Sequence, residues 1–513
     1  MVTQRPISPF ESGYFQEHAT FGSVPVGGMA LFIGSTVEGE FDTELLRTVL
    51  AELAAEHPLL SCRRIDDAGV PVLRHVEGYR PAVTESPGGD IEYVDFVNQP
   101  QPWDDGLIFA RVFREDDRTR IVLVVHHGIT DGRSSFALLD EMWRRYTAHR
   151  RGAPMPVRAN RELPQAVDER LAAVVSEAEV GELLAAMRTI IGEPPARLPR
   201  DGTAGSGRGL FVAERIELDA KATAAFAAAG RAAGIGVNAL LSGCALAAVR
   251  AELGGVGAVP MVCGYAADMR AALDPWLPDE TVLNCASGWG TLLAVAESAD
   301  PFDLGRVVHA DVRAALERRD PARLALAGRY IRDEATARML GEQPSIALSN
   351  IGRVPDHIVP DGLRLVRDSL LAMGPGMPPK LTAFTLGDRL TVQVEYDTND
   401  HSRAQMGRVR RNLAELLHRT AGRSGTSSAD RAGAVSADHT AASPADHTAA
   451  SPADHTAASS AGRTAVSSAD RQAVSPADRG AVSSGDGTAP PSGDDAERAD
   501  AGVAAKFTWW RRR

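Results

Sequence analysis

From about residue 424 the chain changes character, and that boundary decides how much of its 513 residues can build a core. Ala429-Asp430-Arg431 opens a period of eight, clearest in Ala437-Asp438-His439-Thr440-Ala441-Ala442-Ser443-Pro444 and in the copy that starts at Ala445. Eight residues match neither a heptad nor a solenoid unit. Bulky apolar side chains are almost absent there, so nothing offsets the entropy of ordering. Residues 423–513 are therefore expected to be a low-complexity, disordered tail. Folding falls to roughly 1–422.

Apolar residues make up 44% of the chain, enough for a large core, and the formal charge is −12. Nucleic acid as a main partner is excluded, because phosphate binding needs clustered Lys and Arg. A local basic patch for a phosphorylated cofactor remains compatible with that charge. Cys62, Cys244, Cys263 and Cys285 are scattered, with no C-x-x-C pair and no short spacing to a histidine, so neither a zinc site nor a disulfide framework is expected. They read as small core residues in a reducing cytosol. Met1 to Glu11, with Pro6, Pro9 and Glu11, does not read as a signal peptide, and no segment approaches the ~18 apolar residues of a membrane span. A cytoplasmic protein is expected.

Helical and strand patterns interleave along 1–422. A strand is predicted over 29–38, then a helix over 43–56 capped by Asp42, with Leu45, Val49 and Leu53 on one face beside Leu46 and Leu50, and with Pro58 as its stop. A further strand is predicted over 70–76. The runs 107–113 and 120–125, joined through Asp116 and Asp117, predict a hairpin, and 134–146 has helical periodicity. A charged, helix-prone stretch from 161 to 208, ending in Pro194-Pro195 and Gly202–Gly209, reads as a crossover. Beyond it come a strand at 211–218, a helix capped by Asp219, and a second helix capped by Asn238. Strands at 259–265, 346–349 and 390–395 follow, and a last helix spans 402–420. The fold class is α/β, with an N-terminal lobe over 1–160 and a C-terminal lobe over 209–422.

The chemistry concentrates at His126-His127-Gly128-Ile129-Thr130-Asp131-Gly132. Five β-favouring residues, Ile121 to Val125, run into the doubled histidine, and Gly128 breaks the strand. A side chain at a strand end is held rigidly yet stays accessible, which suits a catalytic base. Imidazole both takes and gives a proton near neutrality. Asp131 either contacts the imidazole directly or braces the loop through an arginine, and Gly132 allows a tight backbone turn.

These residues resemble the H-H-x-x-x-D-G motif of the condensation-domain and chloramphenicol-acetyltransferase-like superfamily. A second block, Phe41-Asp42 and Leu45 through His57-Pro58-Leu59-Leu60 and Arg63, is similar to that superfamily's first helix and its ending. Asp268-Met269-Arg270 resembles the V-D-x-R segment of polyketide-associated acyltransferases, and Ser349-Asn350-Ile351-Gly352 resembles an S-N-x-G turn of related alcohol acyltransferases. The resemblance covers about residues 5–420 and is closest to the phthiocerol/phthiodiolone dimycocerosyl transferase group. It implies two acyltransferase-like lobes in a V-shaped arrangement, with His127 as general base in a channel between them. An acyl thioester donor and a hydroxyl acceptor would meet there, without an acyl-enzyme. By the same resemblance His126 shapes the loop, Asp131 is a structural partner with Arg270 as counter-ion, and Asn284, Ser349 and Asn350 are candidate substrate-channel residues.

The resemblance further implies no permanently bound cofactor and an acyl donor carried on coenzyme A or a phosphopantetheinyl acyl carrier protein. An acyl carrier protein or polyketide synthase is then a partner, and the acceptor is an alcohol on a lipid, polyketide or other secondary metabolite. Two alternatives stay open. One is an amide-forming condensation enzyme of nonribosomal-peptide type; the other is a non-catalytic scaffold that binds a carrier protein.

Overall fold

The computed structural model describes residues 3–15, 19–21, 24–26, 28–155, 162–190, 194–202, 209–330, 333, 336, 339–340, 342–374 and 377–423. The repeat-bearing tail beyond residue 423 lies outside the described residues, as does most of the glycine-rich run expected to end the crossover.

The first half contributes β1 (Gln4–Pro6), β2 (Ala19–Phe21), β3 (Val24–Val26), β4 (Ala30–Glu38), β5 (Cys62–Asp67), β6 (Val70–His75), β7 (Val83–Pro87), β8 (Ile108–Glu115) and β9 (Arg118–His126). Its helices are α1 (Pro9–Ser12), α2 (Thr43–Glu56), α3 (Asp90–Val97) and α4 (Gly132–Arg151), followed by α5 (Val167–Ala172) and α6 (Glu177–Ile190) in the crossover region. The second half adds β10 (Phe211–Leu218), α7 (Ala220–Ala232), α8 (Val237–Leu253), β11 (Val259–Asp268), β12 (Ala286–Val295), α9 (Pro301–Glu317) and α10 (Asp320–Ala327). Strands β13 (Ile346–Val354), β14 (Arg364–Leu371), β15 (Lys380–Leu386) and β16 (Arg389–Asp397) and the helix α11 (Arg403–Arg423) complete it.

Strand β9 runs between β4 and β8 in a five-stranded sheet of order β14-β4-β9-β8-β7. Both faces of β9 are covered, which explains its unbroken apolar run. Ile121, Leu123 and Val125 pack into the main core of the first lobe with Leu31, Ile33 and Trp143. Val122 and Val124 face the opposite way, toward Phe32, Phe113 and Met373. Helix α2 starts as its sequence dictates: the Asp42 carboxylate accepts from the Leu45 N–H at 3.0 Å. Leu46, Val49, Leu50 and Leu53 are fully buried. The second lobe has a six-stranded sheet of order β10-β16-β15-β13-β11-β12, covered by α8, whose apolar residues join a separate core. The architecture is thus the expected α/β pair of lobes.

Several boundaries differ from expectation. Helix α4 begins at Gly132 rather than Ser134, because Asp131 caps it, and it runs on to Gly152, whose left-handed φ of 62° ends it. Helix α8 is capped by Gly236 rather than Asn238. The extended backbone at Gly236 starts the helix early, and Asn238 sits in its first turn with its carbonyl accepting from the Ser242 hydroxyl at 2.8 Å. Among the described residues no single helix is long and apolar enough to cross a membrane. The four cysteines are free and buried, and burial pushes the Cys62 and Cys244 thiols up to about 12.

The most consequential difference is β14. It belongs to the second half of the chain but pairs antiparallel with β4 in the first lobe's sheet, with Asp368 opposite Ser35. Its polar residues are consumed by that crossing. Ser35 donates its hydroxyl to Asp368 at 2.7 Å and accepts from the Trp143 indole at 2.9 Å. His357, with a fully buried side chain, sits between Asp140 at 3.2 Å and Asp368 at 3.0 Å.

Burial alone would lower the His357 pKa, but hydrogen bonds to the two carboxylates win and raise it to about 9. A folded-state value above 6.5 means the stabilisation is complete below pH 6.5 and is lost as pH rises through 9. That shift corresponds to on the order of 3 kcal/mol. Urea unfolding at pH 6 and pH 9.5 is expected to show this loss, and His357→Ala is expected to abolish that part of the pH dependence.

Candidate active site

At the end of β9 the two histidines face different surroundings. His126 is 1% exposed. Its Nδ1 accepts from the Gly128 N–H at 3.0 Å, which leaves the remaining ring proton on Nε2. The ring lies against Phe15, with centroids 3.9 Å apart and planes at 12°, and meets the edge of Trp103 at 4.8 Å. A Cβ on Gly28 would stand 2.8 Å from its Nε2, so glycine is needed there. Burial, reinforced by charge at His127 and Arg64, pushes the His126 pKa down to about 3. His126 is therefore a neutral packing residue that fixes the turn.

His127 is half-buried and lines a cavity of about 110 Å³ between the lobes. Its main chain is pinned from both sides: the N–H donates to the Met29 carbonyl at 2.8 Å, and the carbonyl accepts from Asn284 Nδ2 at 2.9 Å. The Tyr14 ring stacks on the imidazole, with centroids 5.1 Å apart. Nδ1 is buried without a well-formed hydrogen bond, and the nearby main-chain oxygens belong to His127 and Thr130. Burial first, then the charge of Lys380, holds the imidazole below its ordinary value, against the opposing pull of those oxygens and Asp131.

Asp131 does not hydrogen-bond His127. One carboxylate oxygen caps α4 by accepting from the Ser134 N–H at 2.9 Å. The other accepts from Arg270 at 2.8 Å and from the Cys285 N–H at 2.8 Å. Of the two roles open in the sequence, the geometry matches bracing through an arginine. Arg270, 1% exposed, also contacts Asp268 at 3.0 Å and the Leu283 carbonyl at 3.4 Å. Burial alone would lower its pKa, but these carboxylates raise it above its ordinary value. One carboxylate thus rivets the motif loop to the second lobe.

Gly132 is not a special turn. It is the first residue of α4, outside the left-handed region, and its missing side chain matters for space: a Cβ would lie 2.4 Å from Ile351. Ser349 lines the cavity as expected. Asn350 does not; its side chain accepts from the Gly352 N–H at 3.0 Å beside a bulge in β13. Asn284 is also absent from the cavity wall. It is 1% exposed, and its other amide atom accepts from the Ala286 N–H at 3.1 Å. Both asparagines were expected to line the channel, and the side chain of each instead hydrogen-bonds the main chain.

Tyr14, Phe10, Ser287, Lys380 and Thr382 line the cavity without having been singled out. Lys380 left one trace in the sequence: among 55 basic residues only Lys221, Lys380 and Lys506 are lysines. Among the described residues no group of three or more His, Cys, Asp or Glu side chains is placed to hold a metal ion.

With this geometry in place, comparison with known proteins defines the class. The chain has the two-lobed fold of condensation domains. It superimposes on the first condensation domain of the CDA synthetase with a TM-score of 0.62 at 16% identity, covering 82% of this chain and 96% of that one. It also superimposes on polyketide synthase associated protein 5 from Mycobacterium tuberculosis, with a TM-score of 0.60 at 17% identity and coverage of 80% and 98%.

Within that class it resembles one group. Residues 207–395 match the family described as phthiocerol/phthiodiolone dimycocerosyl transferase C-terminus. A phthiocerol/phthiodiolone dimycocerosyl transferase of Mycobacterium leprae (strain TN) is 28% identical over 218 residues, which is 41% of this chain. The match spans 50% of that relative's length.

Proposed function

We propose that this protein is an O-acyltransferase that moves an acyl group from a coenzyme A or carrier-protein thioester to a hydroxyl, with His127 as general base. The single observation that carries this reading is the half-buried imidazole on the wall of a cavity between the lobes, its main chain clamped from both halves. Nδ1 is buried, so the proton transfer is assigned to Nε2. A neutral ring there accepts the acceptor's hydroxyl proton as the oxygen attacks the thioester carbon. The C–S bond then breaks, and the imidazolium returns that proton to the leaving thiolate. Transfer is direct, with no acyl-enzyme. A positioned base of this kind contributes ~10²- to 10⁴-fold, and holding donor and acceptor together supplies more.

The lowered His127 pKa supports the assignment, since it keeps the ring in its proton-accepting form at neutral pH. Similarity to dimycocerosyl transferases supports acyl transfer to a hydroxyl, with an acyl carrier protein or polyketide synthase as the proposed thioester source. Likeness to condensation domains keeps amide formation as the second reading. The test is mass spectrometry of products after incubation with a panel of acyl-CoA and acyl-carrier thioesters and matched alcohols and amines. Ester products are expected. Amide products alone would favour the second reading, and no product with any pair would count against both.

A further inference from the structure

Lys380 combines burial with a place on the cavity wall. Its side chain is 7% exposed, yet it lines the cavity that holds His127. The ammonium donates to the Ala372 carbonyl at 2.6 Å and pairs with Glu395 at 2.9 Å. Lys380 and Glu395 are direct partners in the β15–β16 ladder, and Glu395 is completely buried. An ammonium has three N–H groups, and among the described residues no protein acceptor takes the third. A structural cross-strand pair needs no opening to the cavity, and an apolar pair holds two strands as well or better. Of the pair, Lys380 belongs to the cavity wall and Glu395 does not.

We infer that Lys380 is a specificity-determining residue that selects a neutral hydroxyl acceptor over a protonated amine. This rests on the acyl-transfer reading above and deepens it, by supplying a physical reason for an ester product. Alkylamines enter from neutral water as cations, and a second cation beside a desolvated ammonium is strongly disfavoured. An alcohol brings no charge and can receive the spare N–H on its oxygen. The charged and titratable groups around His127 are Lys380 from β15, Asp131 at the cap of α4, Tyr14 stacked on the ring, and neighbouring His126. Lys380 is the cation among them that reaches the cavity wall.

Lys380→Met alone would strand a buried carboxylate, so the working variant is Lys380→Met with Glu395→Gln, which removes both charges. Lys380→Arg is the charge-preserving control. The full-length protein is given palmitoyl-CoA and 1-octanol at about pH 7.5, with octylamine as competitor, and the inhibition constant of octylamine and the ester-to-amide product ratio are measured. The neutral double variant is expected to bind octylamine about tenfold tighter or more relative to octanol, with a matching fall in the ester-to-amide ratio. Lys380→Arg is expected to retain wild-type discrimination. A double variant that forms ester yet discriminates within about twofold of wild type overturns the role of Lys380 alone. Absence of any transfer by the wild-type protein overturns the acyl-transfer reading and this inference with it. A double variant that does not fold passes the decision to Lys380→Gln, held to the same ratio.

Discussion

His127→Ala is expected to reduce acyl transfer by ~10²- to 10⁴-fold while shifting unfolding free energy by no more than about 1 kcal/mol. The small stability effect follows from position. The ring already borders a cavity, so its removal enlarges existing space and leaves the closely packed His126 layer intact. Its main-chain contacts to Met29 and Asn284 survive the substitution. Steady-state kinetics beside urea denaturation check both halves. Turnover within a few-fold of wild type would remove the base assignment, and loss of folding would make His127 a structural residue.

Asp131→Ala is expected to give the largest stability loss in the motif, about 3 kcal/mol or more. The carboxylate satisfies a buried arginine, a main-chain N–H of the other lobe and the start of α4 at once. Removing it leaves Arg270 buried with weaker compensation from Asp268 and from Asp279 at 3.8 Å. Loss of the cap alone costs about 1 kcal/mol. Activity is expected to fall together with stability, because the loop that aims His127 loses its tie to the second lobe. Asp131→Asn keeps the cap acceptor but not the charge and is expected to fall between the two. An unchanged denaturation midpoint in Asp131→Ala would contradict the rivet.

How much of this was legible in the sequence depends on what fixed each element. The strand at 121–125 and the helices after Asp42 and Asp219 announce themselves, because hydrophobic period and capping residues are local properties. Strand β14 does not. Arg364-Leu365-Val366-Arg367-Asp368-Ser369 carries too many charges to read as a strand, and its order comes from pairing with β4, over 300 residues away in the chain. Asp368 finds its reason only in Ser35 and His357. Strand β12 was hidden by its glycines: Ser287-Gly288-Trp289-Gly290 carries little strand signal, and Gly290 finds its place only opposite Gly264 of β11.

The site divides in the same way. Asp131 and Arg270 meet, a pairing that the family resemblance implied and that spacing alone could not give, and His127 stands on the same loop as Asp131. Asn284 and Asn350 were assigned from their place in familiar segments, and each side chain turned out to serve the main chain. Tyr14 and Lys380 reach the cavity from opposite ends of the chain, through contacts that no local pattern encodes.

Truncating His127 cannot by itself separate a base from a residue that merely shapes the cavity; the pH dependence of kcat/KM can. A base must be neutral to act, and burial and Lys380 hold this imidazole below 6.5, so activity is lost only as pH falls through that lowered value. The account predicts a plateau that continues below pH 6.5, followed by a one-proton acid limb that disappears from the residual rate of His127→Ala. An acid limb at or above 6.5, or one that persists unchanged in the variant, would contradict it.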